Sequence, residues 1–237
     1  MRFYDRYAQY YDSIYSFKNY SKESNKLDEF IHKYKRSSGK DLLDVACGTG
    51  NHIAFLKKRY HVQGLDISPQ MLEIAREKNP EITFHQGDMT NFQLARQFDA
   101  VTCLFSAIGH VRSRKKLEGA IRRMAAHLKP GGLLLVEPWF SPNQWQSGRL
   151  DVNFVNDSAL KLARINISGR RGRLSIMNLQ YLVGTPRKIE HFVERVEMML
   201  FTGQEYLNAF RRVGLTTIFD KRGLMGRGLY LAIRPLR

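Results

Sequence analysis

Short apolar runs alternate with amphipathic stretches through the first 140 residues of the chain. The spacing predicts a helix over 21–36 behind a segment rich in tyrosine (Tyr4, Tyr7, Tyr10, Tyr11, Tyr15, Tyr20), then a strand at 41–47 and a helix near 51–59. A second strand follows at 61–66. Ser68-Pro69 then supplies an N-cap with proline at the first helical position, for a helix running to about Lys78. Strands are expected at 82–85 and 98–105. From Ser113 a helix carries Leu117, Ile121, Met124 and Leu128 as its apolar stripe, with Lys115, Arg122 and Arg123 largely off it. Lys129-Pro130-Gly131-Gly132 reads as its terminator, and 133–137 as a fifth, continuously apolar strand of the buried parallel kind.

The rhythm changes after Trp139. Residues 150–202 read mostly as strands with turn signals at Ser168-Gly169 and Val183-Gly184-Thr185-Pro186, an antiparallel β insertion. A helix at 203–213 and strands near 215–219 and 229–233 resume the α/β pattern. The fold class expected is α/β, a doubly wound Rossmann-like sheet carrying that insertion. Four segments follow: an N-terminal helical lid (1–40), the ligand-binding core (41–140), the β insertion (141–202) and a C-terminal completion of the core (203–237).

At 237 residues, 43% hydrophobic and 25% charged, the chain has the composition of an ordinary globular protein able to bury a sizeable core. No apolar run approaches about 18 residues, so no membrane span is expected. The opening Met1-Arg2-Phe3 lacks an apolar signal core, which points to the cytoplasm. Cys47 and Cys103 fall in or after predicted strands and read as small core residues rather than a bridge or metal site. The net charge of +16 raises the question of nucleic acid. Its cations are scattered in short groups, Lys57-Lys58-Arg59, Arg112 to Lys116, Arg170-Arg171-Arg173, Arg211-Arg212 and Lys221-Arg222, several opposite apolar helix positions. Solvated faces are the favoured reading and a polyanion surface the second; an anionic substrate is attracted under either.

The chemistry concentrates in Asp-Leu-Leu-Asp-Val-Ala-Cys-Gly-Thr-Gly-Asn-His, residues 41–52. Asp44 near a strand end, then Ala46, Gly48 and Gly50 leading into a helix, let a ligand approach the backbone closely. A dinucleotide fingerprint fails on two counts: Ile53 stands at the third glycine position, and Asp44 repels a pyrophosphate. A ligand with a cationic end suits Asp44 instead. Asp66, 22 residues on in Gly-Leu-Asp-Ile-Ser, is placed to accept ribose hydroxyls, beside Ile67. Asp88 after the third strand suits an adenine amino group, with Gly87 and Met89 lining the base. Leu104, Phe105 and Ser106 border the rest of the ligand, and Met71, a helix-core residue, is a further candidate contact.

This pattern resembles motif I of the class I S-adenosylmethionine (SAM) methyltransferases. At finer grain the chain is similar to the SAM-dependent N,N-dimethyltransferases of dTDP-linked 3-amino-dideoxy sugars in desosamine and mycaminose biosynthesis. Residues 42–50, 85–89, Phe105-Ser106-Ala107-Ile108-Gly109-His110, 130–139 with Val136-Glu137-Pro138-Trp139, the opening of the strand at 190–192 and Gly226-Arg227-Gly228-Leu229 carry the likeness. The resemblance implies a seven-stranded SAM methyltransferase sheet and SAM as cofactor, with S-adenosylhomocysteine as product and no metal. It implies Tyr15 over the active site, Tyr20 at the cofactor carboxylate and His110 near the acceptor amine. Ser106, Glu137 and Trp139 are implied to shape the acceptor pocket, and Arg227 to meet the diphosphate. The segment between Tyr15 and Lys18 is shorter than the family's, and Phe140 replaces a second tryptophan.

The function expected is thus N-methylation of a small anionic acceptor, most plausibly a nucleotide-linked amino sugar. Its rivals are another small N- or O-acceptor, RNA, and a non-catalytic SAM-binding protein. No Asn-Pro-Pro-Tyr-type motif follows the fourth strand, which argues against nucleic acid. A homodimer through the β insertion is left open.

Overall fold

The computed structural model describes residues 8–236; Tyr4 and Tyr7 of the tyrosine-rich segment lie outside the described residues. Two helices, α1 (Ala8–Ile14) and α2 (Tyr20–Tyr34), precede β1 (Asp41–Val45), α3 (Ile53–Leu56), β2 (His61–Asp66), α4 (Pro69–Lys78) and β3 (Thr83–Gln86). Then come β4 (Phe98–Cys103), a 3-10 turn (Ala107–His110), α5 (Arg114–Ala126) and β5 (Leu128–Val136). Four antiparallel strands follow, β6 (Leu150–Asn156), β7 (Lys161–Arg171), β8 (Leu174–Gly184) and β9 (Ile189–Met199). The chain finishes with α6 (Gly203–Arg212), β10 (Thr216–Asp220) and β11 (Leu229–Ile233).

The seven-stranded sheet has the order β10-β11-β5-β4-β1-β2-β3, with β11 antiparallel to both neighbours. β1 lies between β2 and β4, where the strand order reverses and where open α/β sheets leave a crevice beyond their carboxyl ends. Every residue of β4 is buried, as a central strand covered on both faces requires. One face of the sheet packs on α5 and α6 through Phe98, Ile121, Met124 and Phe210; the other packs on α2 and α4 through Leu27, Ile31 and Leu72. Each such side chain contributes about 1.5–3 kcal/mol by leaving water.

The second sheet, β6-β7-β8-β9, buries one face under α1 and α4 through Leu162, Tyr181 and Val183. Its other face exposes Leu150, Val152, Phe154, Ile165, Ile167, Leu182 and Val193. Among the described residues no helix is long and apolar enough to cross a membrane.

Three local expectations need correction. A short helix, α1, forms within the tyrosine-rich segment. Lys129 to Gly132 lie inside β5 instead of capping α5, because Gly131 N–H donates to the Arg234 carbonyl at 3.0 Å and the Gly132 carbonyl accepts the Arg234 N–H at 2.9 Å; the helix ends at Ala126, with His127 as its C-cap. Ser168-Gly169 continues β7, and the turn falls at Gly172, whose φ of 59° only glycine adopts freely.

Candidate active site

Asp44 sits in register between Gly64 of β2 and Thr102 of β4, only 2% exposed. Thr102 Oγ1 donates to its Oδ1 at 2.7 Å, and no cation forms an ion pair with it among the described residues. Burial pushes its carboxyl up to about 6. A carboxylate held this way gains from a positively charged ligand above it. The turn that follows makes room: Gly48 and Gly50 have φ of 55° and 74°, and nothing lies within 4 Å of where a Gly48 Cβ would stand.

Asp66 closes the same cleft from β2. Its Oδ2 accepts the Gly48 N–H at 2.8 Å and its Oδ1 the Ser68 N–H at 2.9 Å, so the carboxylate is aimed across the glycine turn. Burial raises its pKa against the Ser68, Gly48 and Ile67 N–H donors. Ile67 beside it is 51% exposed, an apolar plate of the kind a flat base covers. Gly87 N–H donates to the Asp66 carbonyl, which brings the next loop alongside. There Asp88 Oδ1 accepts from Thr90 N and Oγ1, and its Oδ2 carries no hydrogen bond among the described residues. A buried anion without a cation, a diol-accepting carboxylate and an apolar plate with a free acceptor fit SAM.

The N-terminal segment covers this cleft. Asp12 of α1 accepts from Thr49 Oγ1 at 2.6 Å, Asn51 Nδ2 at 2.8 Å and Lys78 Nζ at 2.6 Å, pinning α1 across the glycine turn. Tyr11, Tyr20, Leu104 and Phe105 line the cleft with Asp44, Ala46 and Gly48. The Tyr20 phenol bonds Asn51, and burial raises its pKa. Behind it, Glu23 takes Lys18 Nζ at 2.7 Å on one oxygen and His52 Nε2 at 2.8 Å on the other. Burial pushes the Glu23 carboxyl upward, but these two partners outweigh it and hold it below its usual range. Lys18 Nζ also lies 4.2 Å from the Phe105 ring centroid, a cation–π contact.

On the acceptor side, backbone strain marks the end of β4. Phe105 and Ser106 have φ of 49° and 60°, and with Ala46 they are the non-glycine residues of positive φ among those described. Such conformations cost on the order of 1–3 kcal/mol each and cluster at functional sites. The 3-10 turn that follows packs tightly: a Cβ on Gly109 would lie 2.8 Å from Met198 and 2.9 Å from Trp139. Glycine there lets the turn that carries His110 close on Trp139 and Met198. Burial, with the Arg112 charge adding, pulls His110 down to about 4, so its imidazole is neutral at pH 7. Trp139 Nε1 donates to Ser175 Oγ at 2.9 Å, and Phe140 meets its ring edge-on at 4.7 Å. Tyr15 sets its ring edge-on to Phe105 at 5.0 Å, and its hydroxyl accepts from Arg164 Nη1 at 2.9 Å.

Several expected contacts are placed differently. Met71 is 2% exposed and packs beneath α1 with Tyr10 and Ile14, closed off from the cleft. Ser106 is fully buried, its Oγ donating to the Pro138 carbonyl at 2.7 Å, and it holds the strained turn. Glu137 is also fully buried, and both its oxygens are used, by Phe105 N–H at 2.7 Å and Arg227 Nη2 at 3.2 Å. Arg227 is therefore turned inward over the Phe105 and Trp139 rings. Met89 packs against the core behind Gly87. Sequence reasoning missed Asp12, Lys18, Glu23, His52 and Arg164. Their partners lie 5 to 207 positions away, and no local spacing marks them, except that Thr49 and Asn51 within the glycine turn signal a polar partner for Asp12.

Comparison with known proteins agrees with this geometry. A methyltransferase domain model matches residues 42–132. The chain is 38% identical over 230 residues to dTDP-3-amino-3,6-dideoxy-alpha-D-glucopyranose N,N-dimethyltransferase of Streptomyces fradiae, covering 95% of this chain and 90% of that protein. The crystal structure of Streptomyces venezuelae DesVI superposes with a TM-score of 0.88 at 33% identity, covering 94% of this chain and 98% of that one. SAM-bound CalS10 of Micromonospora echinaspora, an amino pentose methyltransferase involved in calicheamicin biosynthesis, gives 0.87 at 35%, covering 99% and 98%.

Proposed function

The chain belongs to the SAM-dependent methyltransferases, in the branch of the amino-sugar N,N-dimethyltransferases, and from that premise we propose that it methylates the amine of a dTDP-linked amino sugar. The observation that carries the acceptor class is the full-length likeness, which takes in the β insertion and the loop of Arg227 as well as the cofactor half.

SAM supplies a methyl group on a sulfonium. Asp44 would balance the cofactor's positive charge, Asp66 would accept its ribose hydroxyls, and Ile67 with Asp88 would take its base. Tyr20 would meet the cofactor's carboxylate end, and Gly48 and Gly50 would give its backbone approach. An amine attacks only with its lone pair free, so its proton needs an acceptor. His110, held neutral at pH 7, offers an imidazole nitrogen as a hydrogen-bond acceptor that orients the amine's N–H and with it the lone pair. Tyr15, fixed by Arg164, and Trp139 confine the sugar so that nitrogen and methyl meet in line, screened from water by α1 and α2.

The exposed face of the second sheet supports a homodimer. Its rows Phe154–Ala163–Leu182–His191 and Val152–Ile165–Gln180–Val193 carry no carboxylate, so a second copy laid on them strands no acid. Typical monomers leave apolar patches of about 300–600 Å² at most.

A competition assay tests the acceptor: methyl-labelled SAM with a dTDP-amino-dideoxysugar and bulk RNA offered together. Label on the sugar is the expected result. Label on RNA alone overturns the acceptor, and label on neither sends the search to other amines and hydroxyls.

A further inference from the structure

One carboxylate fastens α1 to the elements that build the cofactor half of the site. Asp12 Oδ1 accepts from Thr49 Oγ1 at 2.6 Å and from Asn51 Nδ2 at 2.8 Å, and its Oδ2 takes Lys78 Nζ at 2.6 Å. Thr49 and Asn51 belong to the glycine turn, and Lys78 ends α4, which starts just after Asp66. Asn51 is shared further. Its Oδ1 accepts from Lys78 Nζ, and the Tyr20 phenol of α2 bonds the same side chain. Both N-terminal helices are thus tied to the turn through one amide.

What α1 presents to the cleft follows from helical spacing. Tyr10 and Ile14, one turn apart, are buried in one cluster with Met71 of α4 and with Leu162 and Tyr181 of the second sheet. Tyr11 and Tyr15 are also one turn apart, and their ring centroids lie 4.7 Å from each other. The Tyr15 N–H donates to the Tyr11 carbonyl at 3.0 Å, so the helical turn reaches Tyr15. Tyr11 lines the cofactor cleft, and Tyr15 stands edge-on to Phe105. The burial of Tyr10 and Ile14 holds α1 down without direction, whereas the bonds to Asp12 are directional and fix where along the cleft the helix rests. Little slack is left. The cleft between Tyr11, Tyr20, Phe105 and the glycine turn encloses about 40 Å³, against about 300–1,000 Å³ for ordinary small-ligand pockets. A cofactor entering there parts these rings, and the register to which they return decides what they touch.

We propose that Asp12 and Asn51 are positioning residues: through α1 they set Tyr11 and Tyr15 against the bound cofactor, and through the Asn51 amide they set Tyr20. Each acts by placing a phenol and neither by touching the methyl group. Arg164 holds the Tyr15 hydroxyl from the second sheet, so that side chain is fixed at its tip by the guanidinium and at its base by the helix that Asp12 anchors. The assignment rests on the SAM site and, for Tyr15 alone, on the amino-sugar reading above.

The test sets Asp12→Ala beside Asp12→Asn, which keeps an oxygen for Thr49 and Asn51. Both are read by calorimetric titration of SAM without acceptor and by steady-state kinetics with the dTDP-amino sugar. For Asp12→Ala the expected result is a SAM Kd raised about tenfold, kcat lowered about tenfold and the KM for the sugar within about twofold, since the Trp139 wall is untouched. Asp12→Asn should stay within about threefold of wild type in Kd and kcat. Asn51→Ala should lose as much as Asp12→Ala, and the double variant little more than either alone, because the two residues act as one unit. An unmoved SAM Kd and kcat in Asp12→Ala, even with a lowered melting temperature, make the contact structural and overturn the proposal. Losses that add, or an Asp12→Asn as impaired as Asp12→Ala, overturn it too. If Asp12→Ala does not fold, Lys78→Gln on the exposed side of the tie carries the test: a SAM Kd raised about threefold is expected, and an unmoved Kd overturns the proposal. A raised SAM Kd in Asp12→Ala, in a protein that methylates no nucleotide sugar, upholds the role at Tyr11 and Tyr20 and sinks the amino-sugar reading alone.

Discussion

Arg227 donates from Nη2 to Glu137 Oε1 across 3.2 Å, and this contact ties the loop ahead of β11 to the end of β5. The same carboxylate accepts the N–H of strained Phe105 through its other oxygen. Glu137→Ala leaves a half-buried guanidinium and a backbone N–H without partners, and should cost on the order of 3–5 kcal/mol. Glu137→Gln keeps an acceptor for Phe105 and should cost visibly less. Urea denaturation of both variants checks the ranking; equal losses would show that the Phe105 bond adds nothing.

Asp66 holds the glycine turn and faces the cleft at once. Asp66→Ala removes a charge-assisted acceptor, worth about 1.5–3 kcal/mol, so SAM affinity should fall roughly tenfold to a hundredfold. Calorimetric titration of SAM reads this directly, and an unchanged Kd would remove Asp66 from the cofactor site.

Asp44 and His110 set opposing pH dependences. Asp44 titrates at about 6 in the folded chain against a reference of 3.8, so the folded state holds an extra proton between those values. Stability therefore falls as pH rises through that window and levels off above about 6. Asp44→Asn removes the fall and should stabilise the ligand-free protein at pH 7 by on the order of 3 kcal/mol. His110, at about 4 against 6.5, gives the opposite slope: its contribution is present above 6.5 and lost as pH drops toward 4. His110→Gln should therefore steepen the fall left by Asp44. SAM affinity should rise as pH climbs through about 6, as Asp44 ionises. Melting curves from pH 4 to 8, with and without SAM, separate these slopes.

Arg164 reaches from the second sheet to the Tyr15 hydroxyl. Tyr15→Phe and Arg164→Leu should each lower kcat by about tenfold, with SAM affinity nearly unchanged. If Arg164 acts by positioning Tyr15, the double variant should lose little more than either single one, a coupling of about 1 kcal/mol. Additive losses would mean that Arg164 acts elsewhere.

Phe154, on the edge strand β6, is 73% exposed on the apolar face. Phe154→Asp should shift the protein from dimer to monomer in sedimentation velocity. A wild type that sediments as a monomer at high concentration removes the second copy from that face.

The order of elements was legible because local patterning sets it. Apolar runs of strand length, the Ser68-Pro69 cap and the change of rhythm after Trp139 each depend on neighbours a few positions apart, and each appears close to its expected place. The cofactor half of the site was legible for a related reason. Asp44, Asp66 and Asp88 follow successive strands, and parallel strands in one sheet must bring their carboxyl ends together. The Lys129–Gly132 segment misled because proline and glycine signal a stop, while Arg36, Ser37 and Arg234 claimed the Gly131 and Gly132 backbone and the segment became an irregularity within β5.

What the chain order alone determined is the α/β class, the β insertion and the acids gathered at the carboxyl ends of the strands. Only the tertiary structure decided the rest: that Ser106, Glu137 and Arg227 turn inward, that Asp12 and Arg164 reach the site, and that four cations converge beneath α2. Those outcomes depend on which distant group satisfies each buried charge or donor. That choice is made by the packing of elements far apart in sequence, which no local pattern encodes.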